Sequence, residues 1–177
     1  MAASIRSLSA GHKKFIILTE RPVDPKNPTV AELKAGIDAS CRVKGSGFKY
    51  GPDKSEEVDS DLLCEDTKSK AWGQSNYVLE FDPYRWFNAE TGKAEVGTGA
   101  DIADAVFQLV KEKGTQLYYY VRNTSKKSKE DIAEGDEVCY LAGQNDWPTP
   151  DDGDGYISYH VAVNVSEGEP NAVVAAG

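Results

Sequence analysis

Residues 72–122 constrain the fold more than any other stretch, because they set one end-marked amphipathic helix between two strand-like runs. WGQSNYVLEFDPYRWF leads into the helix and GTQLYYYVR leaves it. Asp101 can cap the free amides of the first turn, and Asp104 stands three residues on, where a capping-box acid acts. Ile102, Val106, Leu109 and Val110 recur at helical spacing, so one stripe is apolar and must be buried. Lys111 and Lys113 suit the negative end of the dipole, and Gly114 can take the left-handed conformation that stops a helix. A lone helix of this kind needs a sheet to cover it.

The rest of the chain reads as strands. Residues 15–18 are continuously apolar, as in a strand covered on both faces. Residues 21–28 hold three prolines, which exclude a central strand and predict an extended linker. Thr29 and Glu32 predict a capping box over one turn, VAELKAG, stopped at Gly36. Ile37, Ala39, Cys41 and Val43 alternate with Asp38, Ser40 and Arg42, and Tyr77, Leu79 and Phe81 alternate with Asn76 and Glu80. LYYYVR, DEVCYLA and YISYHVAVNV follow. In the last, Ile157, Tyr159, Val161, Val163 and Val165 share a face opposite Ser158, His160 and Asn164. The pattern predicts a mainly β chain with one α-helix, folded as an antiparallel β-sandwich or half-barrel. Residues 44–70 form a long polar segment with little periodicity. Leu62, Leu63 and Cys64 in its middle predict a segment that orders against a neighbouring subunit, since a solvated loop has no use for them.

Composition narrows the function. A chain of 177 residues suits one domain with a real core. Net charge −9 and a pI near 4.8 disfavour free DNA and anionic membrane surfaces as binding partners. No apolar run approaches a membrane span, and the first residues lack the apolar stretch of a secretory signal. Cys41, Cys64 and Cys139 are odd in number and lack CxxC spacing, so they read as reduced thiols of an intracellularly made protein. No GxSxG, Walker, HExxH or GxGxxG pattern is present. His12 and His160 have no evident partner, Asp151, Asp152 and Asp154 read as a tight acidic turn rather than a calcium loop, and Trp72, Trp86 and Trp147 read as core anchors rather than sugar platforms. The sequence predicts neither catalytic residues nor metal or cofactor sites.

Three phrases, PTVAELKAGIDASC, WGQSNYVLEFDPYRWF and VKEKGTQLYYYVR, give the chain a resemblance to the major tail tube proteins of long, non-contractile-tailed bacteriophages, those of actinobacteria above all. The likeness spans residues 15–165. It implies two packed antiparallel sheets with a flanking helix. It also implies six-membered rings in which each subunit gives four strands to a shared inner β-barrel, stacked into a conduit for DNA ejection in the virion tail. The implied partners are further copies of the chain, a tape-measure protein, and tail terminator and tip proteins, with double-stranded DNA as a transient passenger and no membrane. Synthesis in the host cytoplasm goes with it. By the same likeness, residues 1–28 are an N-terminal arm with the first strand, residues 29–165 the sandwich domain, and residues 166–177 a C-terminal arm. Residues 44–70 and the two arms join adjacent rings.

A sheet with a polar face and open edges is an aggregation hazard unless its edges are paired, and closure with other copies turns that face into a wet lumen. If strands near residues 37–43, 77–81, 138–142 and 157–165 line it, the wall residues are Asp38, Ser40, Arg42, Glu80, Ser158, His160 and Asn164. Two other readings stay open. One is an inner-tube subunit of a contractile injection or secretion apparatus; the other is a monomeric β-sandwich binding a cell-wall polymer or sugar.

Overall fold

The run KKFIIL becomes β1 (Lys13–Leu18), with residues 15–18 buried as a strand covered on both faces requires. The structure is a computed structural model describing residues 6–60, 64, 69–97, 99–151, 153 and 155–176. After β1 come α1 (Val30–Ala35), β2 (Ile37–Asp38), β3 (Lys49–Asp53), β4 (Glu57–Ser60), β5 (Ser69–Trp72) and β6 (Asn76–Phe81). Then follow α2 (Ala105–Val110), β7 (Gln116–Asn123), β8 (Glu137–Asn145), β9 (Thr149–Asp151) and β10 (Ser158–Val173). One antiparallel sheet runs β2-β1-β7-β8-β10-β6-β3, with β9 joined to the start of β10, while β4 and β5 pair separately. No barrel closes among the described residues.

The sheet curls so that its far ends meet across one core. Phe15 of β1 packs edge-on against Phe48 and Phe81 at centroid distances of 5.0 and 5.2 Å, with Tyr119, Leu79, Leu141 and Val161 in the same cluster. A second core lies on the other face of β1, β7 and β8, where Ile16, Tyr120, Tyr140 and Ala142 meet Leu33 of α1, Ile132, Ala172 and Val174. This double covering explains why LYYYVR and DEVCYLA carry so few polar residues. Their odd and even positions enter different cores. In β10 the alternation holds from Tyr159 to Val165. A register shift then turns Glu167 opposite Ala142, and a second precedes Ala172 opposite Val138. β10 runs unbroken past Val165 to Val173, and the amides of Val173 and Ala175 donate to the carbonyls of Lys26 and Pro28 (both 2.9 Å). At Gly168 a Cβ would stand 2.6 Å from the Tyr77 ring, so only glycine lets β10 pass.

Several expectations need revision. The α1 capping box forms as read: Thr29 Oγ1 accepts from the Glu32 amide (3.2 Å), and the Thr29 amide donates to Glu32 (2.8 Å). That makes two short helices rather than one. Helix α2 begins at Ala105, so Asp101 and Ile102 lie in the preceding turn and Asp101 caps nothing. Val106, Leu109 and Val110 are buried as the stripe requires. The helix ends in a way the sequence hid, with Asn145 Nδ2 donating to the carbonyls of Val110 (2.7 Å) and Glu112 (3.0 Å). Gly114 takes φ +82, and its amide donates to the Asn145 carbonyl (2.8 Å).

Residues 37–43 are not one strand. After Asp38 the chain turns away from β1 and crosses to the end of β6, where Val43 bridges Pro83. Ile37 and Ala39 are buried in the inner core and Val43 packs on it, which produced the alternation, whereas Cys41 is exposed. Residues 44–70 are not featureless either, because β3, β4 and the start of β5 fall there. Leu62 and Leu63 lie outside the described residues, and Cys64 is exposed.

Arg122, fully buried, ties down the link between β7 and β8. Its guanidinium donates to the carbonyls of Asp131 (2.9 Å), Lys127 (2.7 Å) and Glu130 (3.1 Å) and pairs with Asp136 (3.2 Å). Burial pushes the Asp136 carboxyl up, but hydrogen bonds from Lys126, the Ala133 amide and Arg122 outweigh it and hold the group below its ordinary value of 3.8.

Candidate assembly surfaces

The outer face of β3, β6 and β10 is polar because their inward positions feed the inner core and no helix covers the other side. Opposite partners in an antiparallel ladder point the same way. Lys49 faces Glu80, which faces Ala162, and Asn164 faces Gln144, which faces Gln116. Glu80, His160 and Asn164 therefore share one surface, together with Lys49 and Gln144, which the sequence reading did not include; Asp82, just beyond β6, is nearly buried beside His160. Charges on this surface are matched locally. Lys49 Nζ bonds Glu80 at 2.6 Å, and His160 Nδ1 lies 2.8 Å from Asp82 Oδ1. The carboxylate beside Lys49 raises that amine's pKa, by hydrogen bond first and charge second. The polar half of a period-2 pattern marked Glu80 and Asn164. The partner of His160 lay 78 residues away in sequence and only the register reveals it.

The other four residues read as wall candidates sit elsewhere. Asp38 is on β2, at the opposite end of the strand order from β3, and pairs with the nearly buried Lys14 (2.7 Å). Ser40 Oγ accepts from the Phe15 amide (2.9 Å), finishing the backbone bonding of β1 where β2 has ended. Arg42 donates to the Ala100 carbonyl (2.6 Å). Ser158 is buried and bonds Asp151 (3.1 Å), whose second partner is Lys44 (2.8 Å). Asp152 and Asp154 lie outside the described residues.

β3 and β6 continue outward as a hairpin. Lys49 stands opposite Glu80, Asp53 opposite Asn76, Glu57 opposite Trp72 and Ser60 opposite Ser69, so one register survives the gap between the two ladders. β3 is an edge strand, which is why Pro52 is tolerated. Among the described residues, the hairpin beyond Asp53 pairs only with itself. Val58 is 54% and Trp72 70% exposed, and Glu57 is held by Lys54 (3.0 Å) and Lys70 (2.7 Å) in solvent. Such exposed pairs add little, and an isolated two-stranded hairpin is marginal in water. Trp86 and Trp147 are also exposed, so none of the three tryptophans is the core anchor expected of it.

The segment between β6 and α2 is pinned by an ion pair. Asp104, fully buried, accepts from Arg85 Nε (3.1 Å), Arg85 Nη2 (3.2 Å), the Trp86 amide (2.9 Å) and Gln108 Nε2 (2.8 Å). The carboxylate read as a capping-box acid is thus spent on Arg85, which also lies 3.9 Å from the Phe107 ring centroid.

Among the described residues no cluster of His, Cys, Asp and Glu could hold a metal ion, and no helix is long and apolar enough to cross a membrane. An antiparallel β-sheet subunit with an uncovered polar face and a projecting hairpin belongs to the class of structural assembly proteins. The family model described as phage tail tube protein matches residues 1–177, and the chain belongs to that family. Among curated proteins none matches it. It is a tail tube structural subunit and a component of the virion tail.

Proposed function

We propose that six copies form a ring, that rings stack into a tube, and that the polar face of β3, β6 and β10 lines the conduit through which DNA leaves the capsid. The observation that carries this reading is the combination of that uncovered polar face with β3 as an edge strand. An unpaired edge is a site for strand addition, and closure with other copies removes it. Of the seven wall candidates, Glu80, His160 and Asn164 remain in this proposal with Lys49, and Asp38, Ser40, Arg42 and Ser158 leave it. The hairpin, with Cys64 near its tip and Leu62 and Leu63 adjoining in sequence, makes the contact between rings. A hairpin without a core of its own gains one against a neighbour. The role is structural rather than catalytic. Further contacts are with a tape-measure protein inside the tube and terminator and tip proteins at its ends.

Negative-stain microscopy of the concentrated protein, with light scattering across a dilution series, tests the reading. Hollow tubes or rings are expected. A chain that stays monomeric at high concentration would sink it and leave the binding-module alternative.

A further inference from the structure

At the end of the sheet opposite the hairpin, the chain beyond β6 builds an aromatic hollow. Cys41, Tyr84, Arg85, Trp86, Phe87 and Tyr156 line a cavity of about 500 Å³. Its floor is fixed by the Arg85–Asp104 pair and by the Arg85 guanidinium over Phe107. Its rim is apolar and uncovered. Trp86 is 41%, Phe87 42% and Tyr156 84% exposed, and Tyr84 meets Tyr156 edge-on at 6.0 Å. A contiguous patch of large apolar side chains on a protein surface marks an interaction site.

The hairpin presents the complement, with Val58 and Trp72 exposed on a ladder that has no core. β6 leads from the hairpin side at Asn76 to the hollow side beyond Phe81, so the two features stand at opposite ends of one strand. Two different surfaces at opposite ends join head to tail, and such contacts propagate as open stacks instead of closing a dimer.

We propose that the aromatic hollow of one copy receives the β4–β5 hairpin of another, with Trp72 as its anchor. This rests on the stacked-tube reading and names the surface that receives the hairpin.

Cross-linking tests it. In a Cys64→Ser background, Val58→Cys and Lys70→Cys place a thiol on opposite faces of the hairpin, and Cys41 supplies the thiol of the hollow. Each protein is concentrated, tubes are verified by negative stain, and Cu(II)-phenanthroline is added. The two thiols give two electrons to copper and two protons to water as the disulfide forms. At least one variant should give a reducible ladder of multimers that Cys41→Ser abolishes. In parallel, Trp72→Ser and Trp86→Ser should each raise the concentration needed for elongation by about tenfold or more, with the monomer's melting temperature unchanged. Tubes without a ladder, elongating normally with Trp86→Ser, would overturn the hollow as the receptor and leave the tube reading standing. A wild-type chain that never elongates would overturn both.

Discussion

Replacing Asp104 by alanine probes the joint between sheet and helix most directly. The carboxylate is fully buried and receives four donated hydrogen bonds, from Arg85 Nε and Nη2, the Trp86 amide and Gln108 Nε2. Arg85 itself keeps only 12% of its side chain exposed. Asp104→Ala therefore strands a nearly buried cation and leaves buried donors without acceptors. Breaking one side of a buried pair costs about 3–5 kcal/mol, a large share of the 5–15 kcal/mol typical of a domain. Urea unfolding followed by circular dichroism should show that loss as a lower midpoint with little change in slope. Arg85→Met should cost a comparable amount by stranding the carboxylate. The double variant should cost clearly less than the two together, because neither charge then remains alone. A loss below about 1 kcal/mol for Asp104→Ala, or strict additivity in the double variant, would refute the pair as the element that fixes residues 82–104.

Tyr119→Phe should stabilise the domain by about 1 kcal/mol in the same assay, because the Tyr119 hydroxyl is buried without a hydrogen-bond partner among the described residues; a destabilised variant would reveal a partner for it. Thiol titration with a chromogenic disulfide should find Cys41 and Cys64 fast and Cys139 silent until unfolding, since burial pushes the Cys139 thiol up to about 11. Acid should loosen the β7–β8 link. Asp136 has a folded pKa below its ordinary 3.8, so its contribution is complete above that value and is lost as pH falls through the folded one. Unfolding midpoints should then be flat from neutral pH down to about 5 and drop steeply below about 4, with a shallower drop in Asp136→Asn.

The legible parts of the fold were those where one face meets one environment. The alternation from Tyr159 to Val165, the buried 15–18 run and the capping box at Thr29 all follow from local pattern, and the structure has each of them. Misreadings arose where a distant residue decided the local outcome. Asp104 looked like a capping-box acid until Arg85, nineteen positions earlier, claimed it. Residues 37–43 alternate because they cross an apolar core rather than because they form a ladder. The hairpin escaped notice because its strands are only four residues each and carry one large apolar side chain per face, Val58 and Trp72, which leaves the period without contrast. The exposed tryptophans were assigned to a core since burial is what large aromatics usually obtain; in an assembling subunit, that burial can come from another copy.

Wall charge offers the last test of the proposed conduit. Glu80 is the solvent-reached acid of the polar face and is balanced within the chain by Lys49, while the nearly buried Asp82 is hydrogen-bonded to His160. A wall of matched pairs gives phosphate no lone cation to grip, and across an aqueous channel the field of a balanced pair decays faster than that of a single charge. Glu80→Lys removes the exposed acid and leaves Lys49 uncompensated. Glu80 is outward on β6 and outside the buried core, so the core beneath is untouched and tubes should still assemble. Phage carrying the change should eject DNA more slowly, and added salt should restore the rate as the screening length falls from about 10 Å at 0.1 M towards 3 Å at 1 M. Normal ejection at low salt by a fully assembled, charge-reversed tube would show that this face looks outward and not into the lumen.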